Sequence, residues 1–270
     1  MEERALWEQT ASHYDQVMAP RTGLFTERLV EAVELRPGER VLDAACGPGG
    51  LTHRAAQAVA PGGWVVGLDF AMAMARLARA GASAGSGRLS AVQGDAERLP
   101  FRTGAFDAAA CQFGLMMCPR PAVAAAELRR ALRPGGRAGI LVWAAADRMP
   151  YFHITSQALR QAIPGFTPPP GPGPCSLGAP GALESALAAA GLSVEIHRER
   201  RTWTFESVDS FWADMTRGSR TMRQVLGERD ADTRARVEAA WRAGAARHVQ
   251  PGGAVVMEVE ALLAVARAIP

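Results

Sequence analysis

The segment Val41-Leu42-Asp43-Ala44-Ala45-Cys46-Gly47-Pro48-Gly49-Gly50 is an apolar strand that ends in an acid, followed by a glycine turn and the start of a helix. Two further apolar runs end in Asp69 and Asp95, each 26 residues beyond the last. A strand–helix–strand rhythm of this kind predicts a parallel α/β sheet. It sets three carboxylates along one sheet edge. Open α/β sheets bind ligands outside the carboxyl ends of their strands, so the pattern points to a nucleoside-bearing ligand there.

The rhythm extends along the first half of the chain. Strands are predicted at 40–45, 64–68, 89–93, 106–113 and 137–143, with helices at 50–59, 72–80 and 123–132 between them. Ahead of them, Leu6, Trp7 and Tyr14, then Leu24, Phe25, Leu29, Val30 and Val33, recur at helical spacing and predict two helices. The Gly/Ser stretch 81–87 reads as a loop.

Beyond residue 143 the pattern changes. Prolines 164, 168–170, 172, 174 and 180 mark 144–179 as a loop or lid. A helix over 182–190, a strand over 192–200, helices within 206–249 and a last strand near 261–266 follow. The expected organisation is a helical cap (1–36), an α/β core (37–145), a lid insertion (146–180), a core helix and strand (181–205), a helical lid insertion (206–250) and a final core strand (251–270).

Composition removes several classes. No apolar run reaches the ~20 residues that a membrane helix needs, and the acidic start with Glu2 and Glu3 shows no leader. All 30 basic residues are arginine, interspersed with acids, so no stripe suits nucleic acid. Four cysteines without paired spacing fit a reducing cytoplasm, and five histidines show no metal spacing. Neither a bound metal nor a disulfide is expected.

The glycine turn selects among nucleoside ligands. Gly47 and Gly49 match two positions of G-x-G-x-x-G, but Thr52 occupies the third, which disfavours a dinucleotide. A phosphate loop needs lysine, and the chain has none. Asp43 is a poor neighbour for pyrophosphate. It suits a cationic or zwitterionic ligand such as an aminoacyl-sulfonium nucleoside.

These blocks, V-L-D-A-A-C-G-P-G-G, V-V-G-L-D-F, G-D-A-E-R-L-P-F, Q-F-G-L and L-R-P-G-G-R, resemble the class I S-adenosylmethionine-dependent methyltransferases. The likeness is greatest to the ubiquinone/menaquinone-biosynthesis-like branch. It is dense over residues 7–145. It implies a Rossmann-like, doubly wound, mostly parallel seven-stranded sheet with an antiparallel last strand and helical lid insertions. It also implies S-adenosylmethionine as cofactor and S-adenosylhomocysteine as product.

Carried onto matching positions, the resemblance assigns Asp43, Ala45, Gly47 and Gly49 to the methionine part of the cofactor. Asp69 corresponds to the acceptor of both ribose hydroxyls. Phe70 and Met72 flank the adenine, and Gly94, Asp95 and Ala96 read its edge. Gln112 lies at the cofactor–substrate junction, and Tyr14 closes over the cofactor. One departure stands out. The branch often has Ser-Pro after the second acid, whereas Ala71 and Met72 here leave the predicted helix without a side-chain N-cap.

The expected reaction is methyl transfer to a hydrophobic small molecule, a secondary metabolite or quinone-like ring. Phe113, Met116, Met117, Trp143, Tyr151, Phe152, Phe211 and Trp212 are candidate pocket residues, with core packing as their alternative role. His153 and His13 are candidate general bases, needed only if the acceptor must lose a proton. A non-methylating cyclisation or rearrangement, and a cofactor-binding regulator, are the alternatives. A monomer and a homodimer are both compatible with the sequence.

Overall fold

A computed structural model describes residues 2–81, 87–167, 172–227 and 229–267. The core of the predicted Gly/Ser loop (82–86), prolines 168–170 and the last residues, 268–270, lie outside them. The described residues divide into two compact units. The first comprises described residues within 2–144, 172–199 and 261–267, and the second 145–167, 200–227 and 229–260.

The first unit holds a sheet that runs β3-β2-β1-β4-β5-β7-β6. Its strands are β1 (Arg40–Ala44), β2 (Trp64–Asp69), β3 (Arg88–Gln93), β4 (Phe106–Gln112), β5 (Leu132–Trp143), β6 (Ser193–Phe205) and β7 (Val255–Arg267). The first five are parallel, and β7 pairs antiparallel with β5, Trp143 opposite Ala261. The last two strands continue into the second unit. Strand order reverses at β1, which pairs with both β2 and β4. That switch point is where a doubly wound sheet opens a crevice. Residues Val41–Ala44 are all buried, as a central parallel strand covered on both faces requires. Asp43 is therefore carried inside.

Three helices precede the sheet, where two were expected: α1 (Glu2–Val17), α2 (Ala19–Gly23) and α3 (Thr26–Val33). Pro20 in the first turn of α2 forces the break after α1. Helix α3 ends at Glu34 in a left-handed conformation, and buried Arg137 donates from Nε to the Val33 carbonyl at 2.8 Å. The same guanidinium pairs with Glu39 at 2.6 Å, tying α3, β1 and β5 together. Helices α4 (Gly50–Ala58), α5 (Met72–Ala80) and α6 (Pro121–Ala131) are the crossovers, and α8 (Ala182–Ala189) follows in the same unit.

The second unit corrects one expectation. Residues 150–162 form a helix, α7 (Pro150–Ala162), within the segment read as a loop. Pro150 sits at the first turn, where proline is tolerated. Tyr151, Ile154, Thr155, Ala158, Leu159 and Ala162 make its buried face. Helices α9 (Val208–Gly218), α10 (Arg220–Gly227) and α11 (Ala231–Ala246) complete the unit. Its core centres on Phe211, stacked on Phe205 at 4.1 Å and edge-on to Trp241 at 4.5 Å. The Trp241 indole N–H donates to Thr155 Oγ1 at 3.3 Å. Among the described residues, no helix is long and apolar enough to cross a membrane.

Candidate functional site

A cavity of about 950 Å³, counting its open mouth, lies at the switch point of the first unit. The carboxyl ends of β1, β2, β3 and β4 supply Ala45 and Gly47, Asp69 and Phe70, Gly94–Glu97, and Gln112–Gly114 to its wall. Trp7 and Tyr14 come from α1, and Met117, Cys118 and Pro119 from the segment after β4.

Backbone geometry shapes this edge. Ala45 and Phe113 both have φ of 58°, left-handed conformations that non-glycine residues adopt at a cost. Gly114 lies so near β1 that a Cβ there would stand 2.3 Å from the Ala45 Cβ. The loops after β1 and β4 thus approach more closely than any side chain at 114 allows.

Asp69 is the best-defined polar group. Its Oδ2 accepts the Gly47 N–H and its Oδ1 the Ala71 N–H, both at 2.9 Å. Each oxygen keeps a further acceptor site, so the carboxylate can still take two hydroxyls of a cis-diol. Burial, with Glu8 adding negative charge nearby, pushes its pKa up to about 6 although both N–H bonds oppose this. Asp95 uses Oδ1 to accept the Glu97 N–H at 2.8 Å. Glu97 accepts from Arg120 Nε at 2.8 Å, which fastens the segment after β4 to the loop after β3.

Asp43 behaves differently from its expected role. It is buried beneath the glycine loop and does not line the cavity. Thr52 Oγ1 donates to its Oδ2 at 2.6 Å, while Oδ1 is enclosed without a hydrogen-bond partner. Burial drives its pKa up to about 7 against the Thr52 bond. The residue that breaks the dinucleotide fingerprint is thus the one that holds the carboxyl. Gly67 leaves room for it, since a Cβ there would meet Thr52 Oγ1 at 3.1 Å.

Other expected residues also sit elsewhere. Gly49 packs on Ala78, and Met74 lines the cavity in place of Met72. Gln112 borders the cavity, but its Nε2 donates to the Thr22 carbonyl at 2.9 Å, which directs the amide toward α2. Phe113 and Met117 line the wall, whereas Trp143 is fully buried behind Phe113, stacked on it at 3.7 Å. Met116 is buried, with its sulfur accepting the Trp143 N–H at 3.4 Å. Tyr151 and Phe211 are core residues of the second unit, and Phe152 and Trp212 are half-buried there. Neither histidine borders the cavity. His153 is exposed on α7, and half-buried His13 on α1 has an enclosed Nδ1 without a hydrogen-bond partner. The titratable groups that do border it are Tyr14, Asp69, Asp95, Glu97 and Cys118, with the Tyr14 hydroxyl raised by burial to about 12.

Trp7, Glu97, Gly114, Cys118 and Pro119 were not anticipated. Only Gly114, directly after the expected Phe113, carried a legible signal. The wall suits a nucleoside with an amino-acid tail: a diol acceptor at Asp69, the half-exposed Phe70 ring, and Gly47 and Gly94 where a ligand nears the backbone.

Residues 41–136 match the family model described as a methyltransferase domain. Nocamycin O-methyltransferase of Saccharothrix syringae is 32% identical over 204 residues, 69% of this chain and 70% of that protein. Demethylmenaquinone methyltransferase of Staphylococcus carnosus is 34% identical over 115 residues, 43% of this chain and 47% of the other. Among solved structures, geranyl diphosphate methyltransferase in complex with S-adenosylmethionine superposes with a TM-score of 0.52 at 19% identity, covering 92% of this chain and 85% of that one. The [4+2]-cyclase SpnF gives a TM-score of 0.53 at 22% identity, covering 92% and 81%. The structural likenesses concern the fold alone.

Proposed function

The chain belongs to the class I S-adenosylmethionine-dependent methyltransferases, and from that premise we propose that it methylates a small apolar acceptor in natural-product or quinone-type biosynthesis. The observation that carries this reading is a single cavity with two walls. Asp69, held by two backbone N–H groups, stands on one side, and Trp7, Phe113, Met117 and Pro119 give an apolar side next to it.

S-Adenosylmethionine supplies a methyl group already activated on a sulfonium. The protein's own task is positioning and the exclusion of water. In this reading Asp69 accepts the ribose hydroxyls, Phe70 and Met74 flank the base, and Gly94–Ala96 face its edge. Asp43 acts from beneath the glycine loop, its negative charge favouring a positive sulfur. The phenyl ring of Phe113, fixed by Trp143 and Phe25, borders the acceptor. An acceptor that arrives ionised needs no base, and for a neutral one Tyr14 and Glu97 border the cavity, whereas His13 does not. Four cysteines outside any disulfide suit a reducing cytoplasm.

The test is turnover with S-adenosylmethionine and a panel of apolar acceptors, oxygen acceptors first because the nocamycin relative is named for one. We expect a product heavier by one methylene unit, with S-adenosylhomocysteine formed in equal amount. Fold does not settle reaction, so a non-methylating cyclisation or rearrangement is the alternative. A product of unchanged mass formed without S-adenosylhomocysteine would select it. Tight cofactor binding with no turnover across the panel would point to a regulator.

A further inference from the structure

Helix α5 opens directly beside Asp69 and has no cap of its own, since Ala71 at the cap position offers no acceptor. Yet its first donors are satisfied. The Ala71 N–H goes to Asp69, while the Met72 and Ala73 N–H groups donate to Glu8 Oε1 at 2.6 Å and Glu8 Oε2 at 2.8 Å. Glu8 belongs to α1, so the helix is capped in trans by a residue far upstream. Both carboxylate oxygens are engaged, and a negative charge at a helix N-terminus is favourable.

The same helix touches the cofactor segment at two further points. Ala11 packs with Ala71 and Met74, joined by Trp7, Tyr14 and Leu77, and Arg4 stands 6.0 Å above the Phe70 ring. The partners of α1 on this side thus run from the Phe70 ring to Leu77, directly after the Asp69 carboxylate in the chain. Trp7 and Tyr14 themselves form part of the cavity wall. Besides the bonds to Glu8, α1 meets α5 through the apolar contacts of Trp7, Ala11 and Tyr14.

We propose that Glu8 is a positioning residue for the cofactor: its carboxylate, by capping α5 in trans, latches α1 as one wall of the cofactor cavity and sets how fast the cofactor leaves. This rests on the cofactor site proposed above. The latch joins two elements that each contribute cavity residues, so opening it takes Trp7 and Tyr14 out of the wall and loosens the turn that presents Asp69.

The test compares Glu8→Ala, Glu8→Gln and a control, Gln9→Ala, an exposed neighbour on α1. In cofactor-free protein, hydrogen exchange is measured over 2–17 and 69–80. In all variants, the dissociation rate of S-adenosylhomocysteine, the cofactor KM and the single-turnover rate at saturating cofactor are measured. Glu8→Ala should speed exchange in both segments and raise the dissociation rate and KM about two- to thirtyfold, the range that loss of a helix cap gives. The effect falls on KM and dissociation, not on the single-turnover rate. Glu8→Gln keeps an acceptor oxygen and should restore part of the loss, while Gln9→Ala should match the parent. An unchanged dissociation rate in Glu8→Ala, in a parent that binds cofactor normally, overturns the latch alone. The same result follows if Gln9→Ala proves equal to Glu8→Ala. A parent chain that binds no S-adenosylmethionine overturns the cofactor reading, and the role of Glu8 with it.

Discussion

At the scale of single residues, the carboxylates at the strand ends divide into different kinds of work. Asp69 is presented to the cavity with its oxygens steadied by Gly47 and Ala71. Asp43 is enclosed and answers to Thr52. Among the described residues, Asp69 is the acidic acceptor at the cavity held by two backbone donors. Asp69→Ala should raise the S-adenosylmethionine dissociation constant at least ~10-fold, since charge-assisted hydrogen bonds are the strong ones. Calorimetric titration checks this, and unchanged binding removes the role. Because the Asp69 carboxyl sits near 6, it is ionised at pH 8 and protonated at pH 5. Cofactor affinity in the parent should therefore fall as pH drops across that range.

At the scale of elements, the β1–α4 turn is tight for a reason of packing. Gly49 has φ of 98°, and a Cβ there would stand 2.7 Å from the Ala78 backbone Cα. Gly50, next to it, has no heavy atom within 4 Å of its Cβ position. Gly49→Ala should therefore destabilise the fold by about 2–4 kcal/mol, combining left-handed strain with overpacking against α5. Gly50→Ala, at the first residue of α4, should be neutral or slightly stabilising because alanine favours helix. Thermal unfolding of the two variants separates the roles, and equal effects would remove the packing argument. Within 144–179, read as a loop or lid, the structure adds one helix. Pro150 starts α7 rather than ending it, and the apolar spacing from Tyr151 to Ala162 was the available signal.

At the scale of the whole molecule, burying two carboxyls at one edge has a cost that depends on pH. Asp43 and Asp69 are raised to about 7 and about 6 from an ordinary 3.8. The folded chain thus keeps protons that the unfolded chain has released. Their stabilising contribution is complete below 3.8 and is lost as pH rises through 6 and 7. His248, lowered by burial and by Arg247, works the other way below its ordinary 6.5. Cofactor-free protein should lose melting temperature between pH 5.5 and pH 8, and Asp43→Asn should flatten that loss. Scanning calorimetry of parent and variant decides it, and identical pH slopes would mean that Asp43 is not the buried acid described here. A bound cofactor stabilises through mass action, by about 2.7 kcal/mol at a hundredfold excess over its dissociation constant. That gain should be larger at pH 8, where both carboxylates are charged and a cationic ligand offsets them.

The alternation of apolar runs, acids and glycines determined the parallel core and the edge at which the site lies, because strand, turn and crossover helix are local signals of periodicity and backbone freedom. The same locality made Asp69, Gly47 and Asp95 legible. Tertiary structure alone decided what comes from a distance. Burial of β1 on both faces took Asp43 out of the cavity, Thr52 became its partner, and Glu8 capped a helix 64 residues further along the chain. A contact of that separation leaves no period to read, since it depends on how two helices pack and not on the spacing within either.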